Sequence, residues 1–117
     1  FSLGGHAFEI ADKSGAGIEL DSAALPILDG ALDYARSGNI AGGLERNLAY
    51  FEGKRVRIAP DLPHELRLLS FDPQTSGGLL LAVAPQAYDM ALARLEEQSI
   101  PAWAIGQVTD GIGVYIS

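Results

Sequence analysis

The longest uninterrupted apolar stretch in the chain is the six-residue run Leu79-Leu80-Leu81-Ala82-Val83-Ala84. A helix that crosses a bilayer needs about 20 such residues, so no membrane span is legible here. Apolar residues without alternation predict instead a strand at the centre of a sheet, covered on both faces. The run follows Phe71-Asp72-Pro73-Gln74-Thr75-Ser76-Gly77-Gly78, which breaks all periodicity. Pro73 disfavours helix at Asp72, and the paired glycines permit unusual dihedrals. After the run, Pro85 to Gln98 is the clearest helical pattern, with Tyr88, Ala91, Leu92 and Leu95 on one side and Asp89, Arg94, Glu96 and Glu97 largely on the other.

Upstream, Leu3 to Lys13 carries a stripe of Leu3, Ala7, Ile10 and Ala11 and is stopped by Ser14-Gly15-Ala16-Gly17. Ile18 to Asp21 alternates like a half-buried strand. A second helix is expected from Ser22 or Pro26, with Leu25, Leu28, Leu32 and Ala35 inward, ending at Ser37-Gly38-Asn39. Residues Asn39 to Gly53 read as a structured loop with one helical turn. Val56 and Ile58 mark a strand, and His64 to Ser70 a short helix with Leu66 and Leu69 inward. Thr109-Asp110-Gly111 between two β-rich segments predicts a closing hairpin, because both central turn residues favour positive φ. The fold class expected over residues 1–117 is one α+β domain, a layered sandwich with a mixed, largely antiparallel sheet and packed helices.

Composition narrows the function. The 117 residues are 48% hydrophobic and 20% charged, which supports a packed core. A net charge of −7 repels a phosphate backbone, so nucleic acid is not an expected partner. The absence of cysteine excludes disulfides, cysteine-ligated metals and thiol nucleophiles, and fits a cytoplasmic location. No basic segment followed by an apolar one marks a signal peptide. The only methionine is Met90, and Phe1-Ser2-Leu3-Gly4-Gly5 opens as if within a motif, so the chain reads as a piece of a longer protein.

Two glycine-bearing loops are the candidate sites. Thr75-Ser76-Gly77-Gly78 offers two hydroxyls and unobstructed backbone N–H groups, a combination that suits a nest for an anion such as phosphate. It reads equally as a bend where the chain meets the sheet, and its spacing matches no Walker loop. Gly4-Gly5-His6, at a helix start, presents backbone N–H groups and an imidazole; the plainer reading is close packing at the glycines and a histidine fixed by a backbone partner. Gly42-Gly43 with Arg46 and Asn47 is a loop that contacts a ligand or a neighbouring domain, unless Arg46 merely pairs with Glu45 or Glu52. His64 is expected at the surface. Asp21, Asp72 and Asp110 form no calcium-loop pattern; Asp72 is expected to cap its turn and Asp110 to serve its own. No Ser–His–Asp set is legible, so no catalytic residue and no metal set is assigned.

The string Phe71-Asp72-Pro73-Gln74-Thr75-Ser76-Gly77-Gly78-Leu79-Leu80 resembles the signature of the selenide, water dikinase (selenophosphate synthetase) family. Phe1-x-Leu3-x-Gly5-His6, Gly42-Gly43-x-x-Arg46-Asn47 and Ile105-Gly106-x-Val108-Thr109 follow the same family's order, so the resemblance spans nearly the whole chain. Ser2-Leu3-Gly4 and Ala41 depart from the commoner Gly-Leu-Leu and Pro. The resemblance implies the C-terminal α+β domain of a two-domain, homodimeric transferase of selenium metabolism, related to aminoimidazole ribonucleotide synthetase. It implies ATP and Mg²⁺ as cofactors, bound mainly by an N-terminal domain that is this chain's partner. It further implies selenide as acceptor, with selenophosphate, AMP and phosphate as products. On this reading Thr75, Ser76, Gly77, Gly78, Gly4 and Gly5 line the ATP phosphate cleft, and the isolated piece is inactive. The alternatives are another ATP-using relative, of the aminoimidazole ribonucleotide synthetase or thiamine monophosphate kinase type, and a non-enzymatic dimerisation module.

Overall fold

The computed structural model describes residues 1–74 and 76–117, with the side chains of all but Glu52. Its strands are β1 (Gly17–Leu20), β2 (Val56–Ile58), β3 (Gly106–Thr109) and β4 (Gly113–Ile116), in one sheet of order β2-β4-β1-β3. Helices α1 (Ser2–Ser14), α2 (Ala31–Arg36), α3 (Leu44–Glu52), α4 (His64–Leu69) and α5 (Tyr88–Glu97) complete the α+β architecture.

The sheet is mixed, as expected, but not largely antiparallel. β4 runs parallel to both β1 and β2, and only β1 and β3 are antiparallel. The long stretch from Asp21 to Arg55, holding α2 and α3, makes a parallel return possible. The closing hairpin is also absent: β3 and β4 lie on opposite sides of β1. The Asp110-Gly111 turn therefore spans two strand spacings and passes over Gly17. A Cβ there would collide with the Thr109 hydroxyl and sit 3.0 Å from the Gly111 carbonyl carbon.

Alternation sorts the sheet's faces. Ile18 and Leu20 register with Val114 and Ile116, which register with Val56 and Ile58, while Glu19, Tyr115, Arg57 and Gln107 share the other face. α1 covers the apolar face. Its Ala7 and Ala11 are fully buried, and their small side chains let the helix lie close on β1 and β4. Gly15 ends α1 in the left-handed conformation at φ 63°, as its position predicts. Phe51 and Phe71 close the core around these residues.

Three other expectations are corrected. The second helix begins only at Ala31, because Pro26 to Gly30 interrupts it and Gly30 takes φ 82°. Within the stretch read as a loop, α3 runs from Leu44 to Glu52, with Leu44 and Phe51 buried and Leu48 packed on both. The run Leu79–Ala84 forms no strand: Leu79 is 89% and Leu81 61% exposed. Helix α5 forms as expected, yet none of its residues is buried.

A second cluster, Ala35, Leu44 and Leu68, joins α2, α3 and α4. At its edge the Arg36 guanidinium meets Glu65 Oε1 at 2.6 Å and Asp33 at 2.9 Å. The Glu65 carboxyl is held below its usual value, first by its own backbone amide and then by Arg36. A carboxylate with a lowered folded pKa adds stability above its ordinary value and loses it as pH falls through the folded one. Glu65→Gln is therefore expected to lower the urea midpoint at pH 7, with the gap to the parent closing at about pH 4 and below. A gap that persists in acid contradicts the pairing.

Candidate functional site

Helix α1 meets the segment from Leu69 to Phe71 closely, and the fit at Gly4 is built from residue size. The Gly4 N–H donates to the Ser70 carbonyl at 2.9 Å. A Cβ on Gly4 would lie 2.8 Å from Cε1 and Cζ of Phe71 and from the Ser70 oxygen, closer than carbon and oxygen approach one another. On the next residue, a Cβ on Gly5 would run into Phe1 and come within 3.0 Å of Phe51. Glycine is thus required at both positions by close approach, without any positive φ.

Phe71, 1% exposed, is tilted against Phe51 at 5.5 Å between ring centroids. Two further bonds hold its backbone and its neighbour. The Asn47 side-chain amide on α3 donates to the Phe71 carbonyl at 2.9 Å, and the Ser2 hydroxyl donates to the Leu69 carbonyl at 3.1 Å. Beyond Phe71 the chain turns tightly, with the Gln74 N–H donating to the Asp72 carbonyl at 2.6 Å.

The loop that emerges is the expected site. Ser76, Gly77 and Gly78 are exposed, and among the described residues their amides donate no hydrogen bond. Thr75 lies outside the described residues. Among the described residues, a Cβ on Gly77 would meet only the Gln74 side chain, at 3.3 Å, and one on Gly78 would meet nothing within 4 Å. These glycines leave the backbone approachable from solvent.

His6 of one candidate loop and Gly77 and Gly78 of the other line one groove of about 890 Å³. Leu3, Ile10, Leu25, Leu80 and Ile105 supply its apolar walls, and Ser2, His6, Glu9, Asp72, Gln74, Gly77 and Gly78 are among its other residues. Gly4 and Gly5 do not offer amides to it. The Gly4 N–H is bonded to Ser70 and the Gly5 N–H donates to the Phe1 carbonyl at 3.1 Å; Gly4 makes room for Phe71, and Gly5 for Phe1 and Phe51. His6 is held by a carboxylate rather than the backbone: its Nδ1 lies 3.4 Å from Glu9, one helical turn on, and both side chains are half exposed.

Asn47, expected within a loop that contacts a ligand or a neighbouring domain, has its side-chain amide engaged within the chain, at the Phe71 carbonyl that precedes the candidate loop. Nothing in the sequence pairs it with Phe71, 24 residues away. Asp21 accepts from the Ala23 N–H at 2.9 Å and caps the turn after β1. Among the described residues, no three His, Cys, Asp or Glu side chains gather to hold a metal ion, and no helix is long and apolar enough to cross a membrane.

The whole chain, residues 1–117, matches the family model described as AIR synthase related protein, C-terminal domain. It is 44% identical over 108 residues to the selenide, water dikinase of Nitratidesulfovibrio vulgaris strain Miyazaki F, covering 92% of this chain and 31% of that protein. The selenide, water dikinase of Clostridium botulinum strain Eklund 17B is 43% identical over 110 residues, covering 94% and 32%. That of Escherichia coli K12 is 39% identical over 113 residues, covering 97% and 31%. The chain spans about a third of the length of these curated relatives.

Because the Asn47 amide is the side-chain partner of a half-buried carbonyl, Asn47→Ala is expected to cost about 1–2 kcal/mol in urea unfolding. An unchanged midpoint contradicts its role in fastening the loop.

Proposed function

The chain belongs to the family of AIR synthase related C-terminal domains, and from that premise we propose that it is the C-terminal domain of an enzyme that uses ATP to phosphorylate selenide. ATP, selenide and water are consumed, and selenophosphate, AMP and orthophosphate are formed. The observation that carries the reading is that Ser76, Gly77 and Gly78 are exposed and their amides donate no hydrogen bond among the described residues, with Gly77 and Gly78 in the lining of the groove. The relatives named selenide, water dikinase support the choice of acceptor over other ATP-using members of the family.

Phosphoryl transfer is mainly positioning and charge stabilisation. A chain of net charge −7 is poorly suited to do this through side chains. Backbone N–H groups suit the task, since they carry partial positive charge and are fixed before the nucleotide arrives. On this reading Thr75, Ser76, Gly77 and Gly78 hydrogen-bond phosphate oxygens. Gly4 and Gly5 act one step back: Gly4 admits Phe71 and Gly5 admits Phe51, the ring against which Phe71 packs, and so they set where that loop begins. Glu9 and Asp72 are the groove's carboxylates and do not amount to a metal site. The Mg²⁺ that accompanies ATP, and the acceptor, belong to the rest of a longer, dimeric, cytoplasmic enzyme.

Gly77→Val in that longer enzyme is expected to reduce turnover about 10- to 100-fold while leaving the fold intact, since among the described residues a Cβ there would meet only the end of the Gln74 side chain, at 3.3 Å, and Gly77 keeps negative φ. Unchanged turnover removes the loop from the chemistry. The 117-residue chain alone is expected to hydrolyse no ATP above background; measurable hydrolysis overturns the division of labour.

A further inference from the structure

Helix α1 brings to the groove a pair of side chains that the nucleotide loop does not use. His6 and Glu9, one turn apart, both line it, with Leu3 before them and Ile10 after them in the same wall. Gly77 and Gly78, whose amides are open, belong to that lining too, and His64 on α4 does not.

The pair has a defined polarity. Glu9 Oε2 lies 3.4 Å from His6 Nδ1, and among the described residues nothing bonds Nε2. A carboxylate on the Nδ1 side favours the neutral tautomer that carries its proton there, and the Nε2 lone pair is then bare. Both side chains are half exposed, so water reaches them. As a surface ion pair at this spacing, the two would add little stability.

The reading of ATP, selenide and water breaks two phosphoanhydride bonds per turnover, one by selenide and one by water. Water must give up a proton as it bonds to phosphorus, and a placed base accelerates that step. The titratable side chains in the groove are those of His6, Glu9, Lys13 and Asp72. Imidazole is the one among these types whose ordinary titration range spans neutral pH.

We propose that His6 is the general base of the water step and that Glu9 is a positioning residue, which keeps Nε2 unprotonated. The proposal rests on the reading above. Once the terminal phosphoryl group has passed to selenide, ADP remains. His6 Nε2 takes a proton from water as the water oxygen bonds to the β-phosphorus. The bond from that phosphorus to the bridging oxygen breaks, its electron pair leaves with AMP, and the β-phosphoryl group becomes orthophosphate. The imidazolium so formed is stabilised by Glu9 and returns its proton to solvent.

Nitrogen NMR of the 117-residue chain at alkaline pH tests the polarity without nucleotide. The neutral His6 ring is expected to carry its proton on Nδ1, and in Glu9→Ala to move to the Nε2–H form of free histidine. A ring protonated on Nε2 in the unsubstituted chain overturns the proposal. In the longer enzyme, His6→Asn is expected to slow AMP formation about 100-fold or more, with selenophosphate still made in the first turnover and ADP accumulating, as read by phosphorus NMR. His6→Ala should do the same, and added imidazole should restore AMP, which a merely structural loss would not allow. AMP formed at the parent rate, or AMP and selenophosphate lost together without rescue, overturns the assignment of the base. If Gly77→Val slows turnover while His6→Asn leaves AMP formation unchanged, the base assignment fails and the nucleotide reading stands.

Discussion

The contact between Gly4 and Phe71 decides where the rest of the molecule can go. No side chain fits between the first turn of α1 and the Phe71 ring, and a hydrogen bond from Gly4 to Ser70 locks the two backbones in register. Phe71 in turn reaches Phe51 on α3, and its carbonyl is held by Asn47 on the same helix. Burying a ring of this size is a major part of the stabilisation available to a small domain. Here it also ends α4 and aims the chain toward solvent at Asp72. Three helices and the candidate site loop thus share one anchor.

That anchor separates two kinds of glycine the sequence writes identically. Gly4 and Gly5 are buried and exist to admit aromatic rings; Gly77 and Gly78 are exposed and leave amides bare. On the proposed reading the difference matters, because there an acidic protein holds a phosphorylated ligand. Bare amides attract an anion without adding a basic side chain, whereas the amides of Gly4 and Gly5 are already bonded within the protein.

Local signals were read correctly where the residues that form an element also terminate it. The stripe Leu3, Ala7, Ile10, Ala11 and the stop at Gly15 became α1, and Val56 with Ile58 became β2. Errors arose where distant partners decide. Asp110-Gly111 looks like a hairpin turn, but β1 enters between the flanking strands and Gly17 passes beneath. Leu79–Ala84 looks like a central strand, but the central places belong to β4 and β1. For α3 the signal was present and overlooked: Leu44, Leu48 and Phe51 stand at helical spacing, and Gly42-Gly43 precedes the helix rather than interrupting it. At the candidate site, the exposure of Ser76 to Gly78 follows from their own residues. Asn47 was not, because a hydrogen bond across 24 residues leaves no local trace.

A double-mutant cycle on Gly4→Ala and Phe71→Leu, followed by urea unfolding, measures the anchor directly. The leucine lacks the ring carbons that an alanine Cβ would strike, so the double variant should be at least ~1 kcal/mol more stable than the sum of the single losses implies. Strict additivity would mean that the glycine and the ring do not depend on each other, and the placement of the site loop would need another cause.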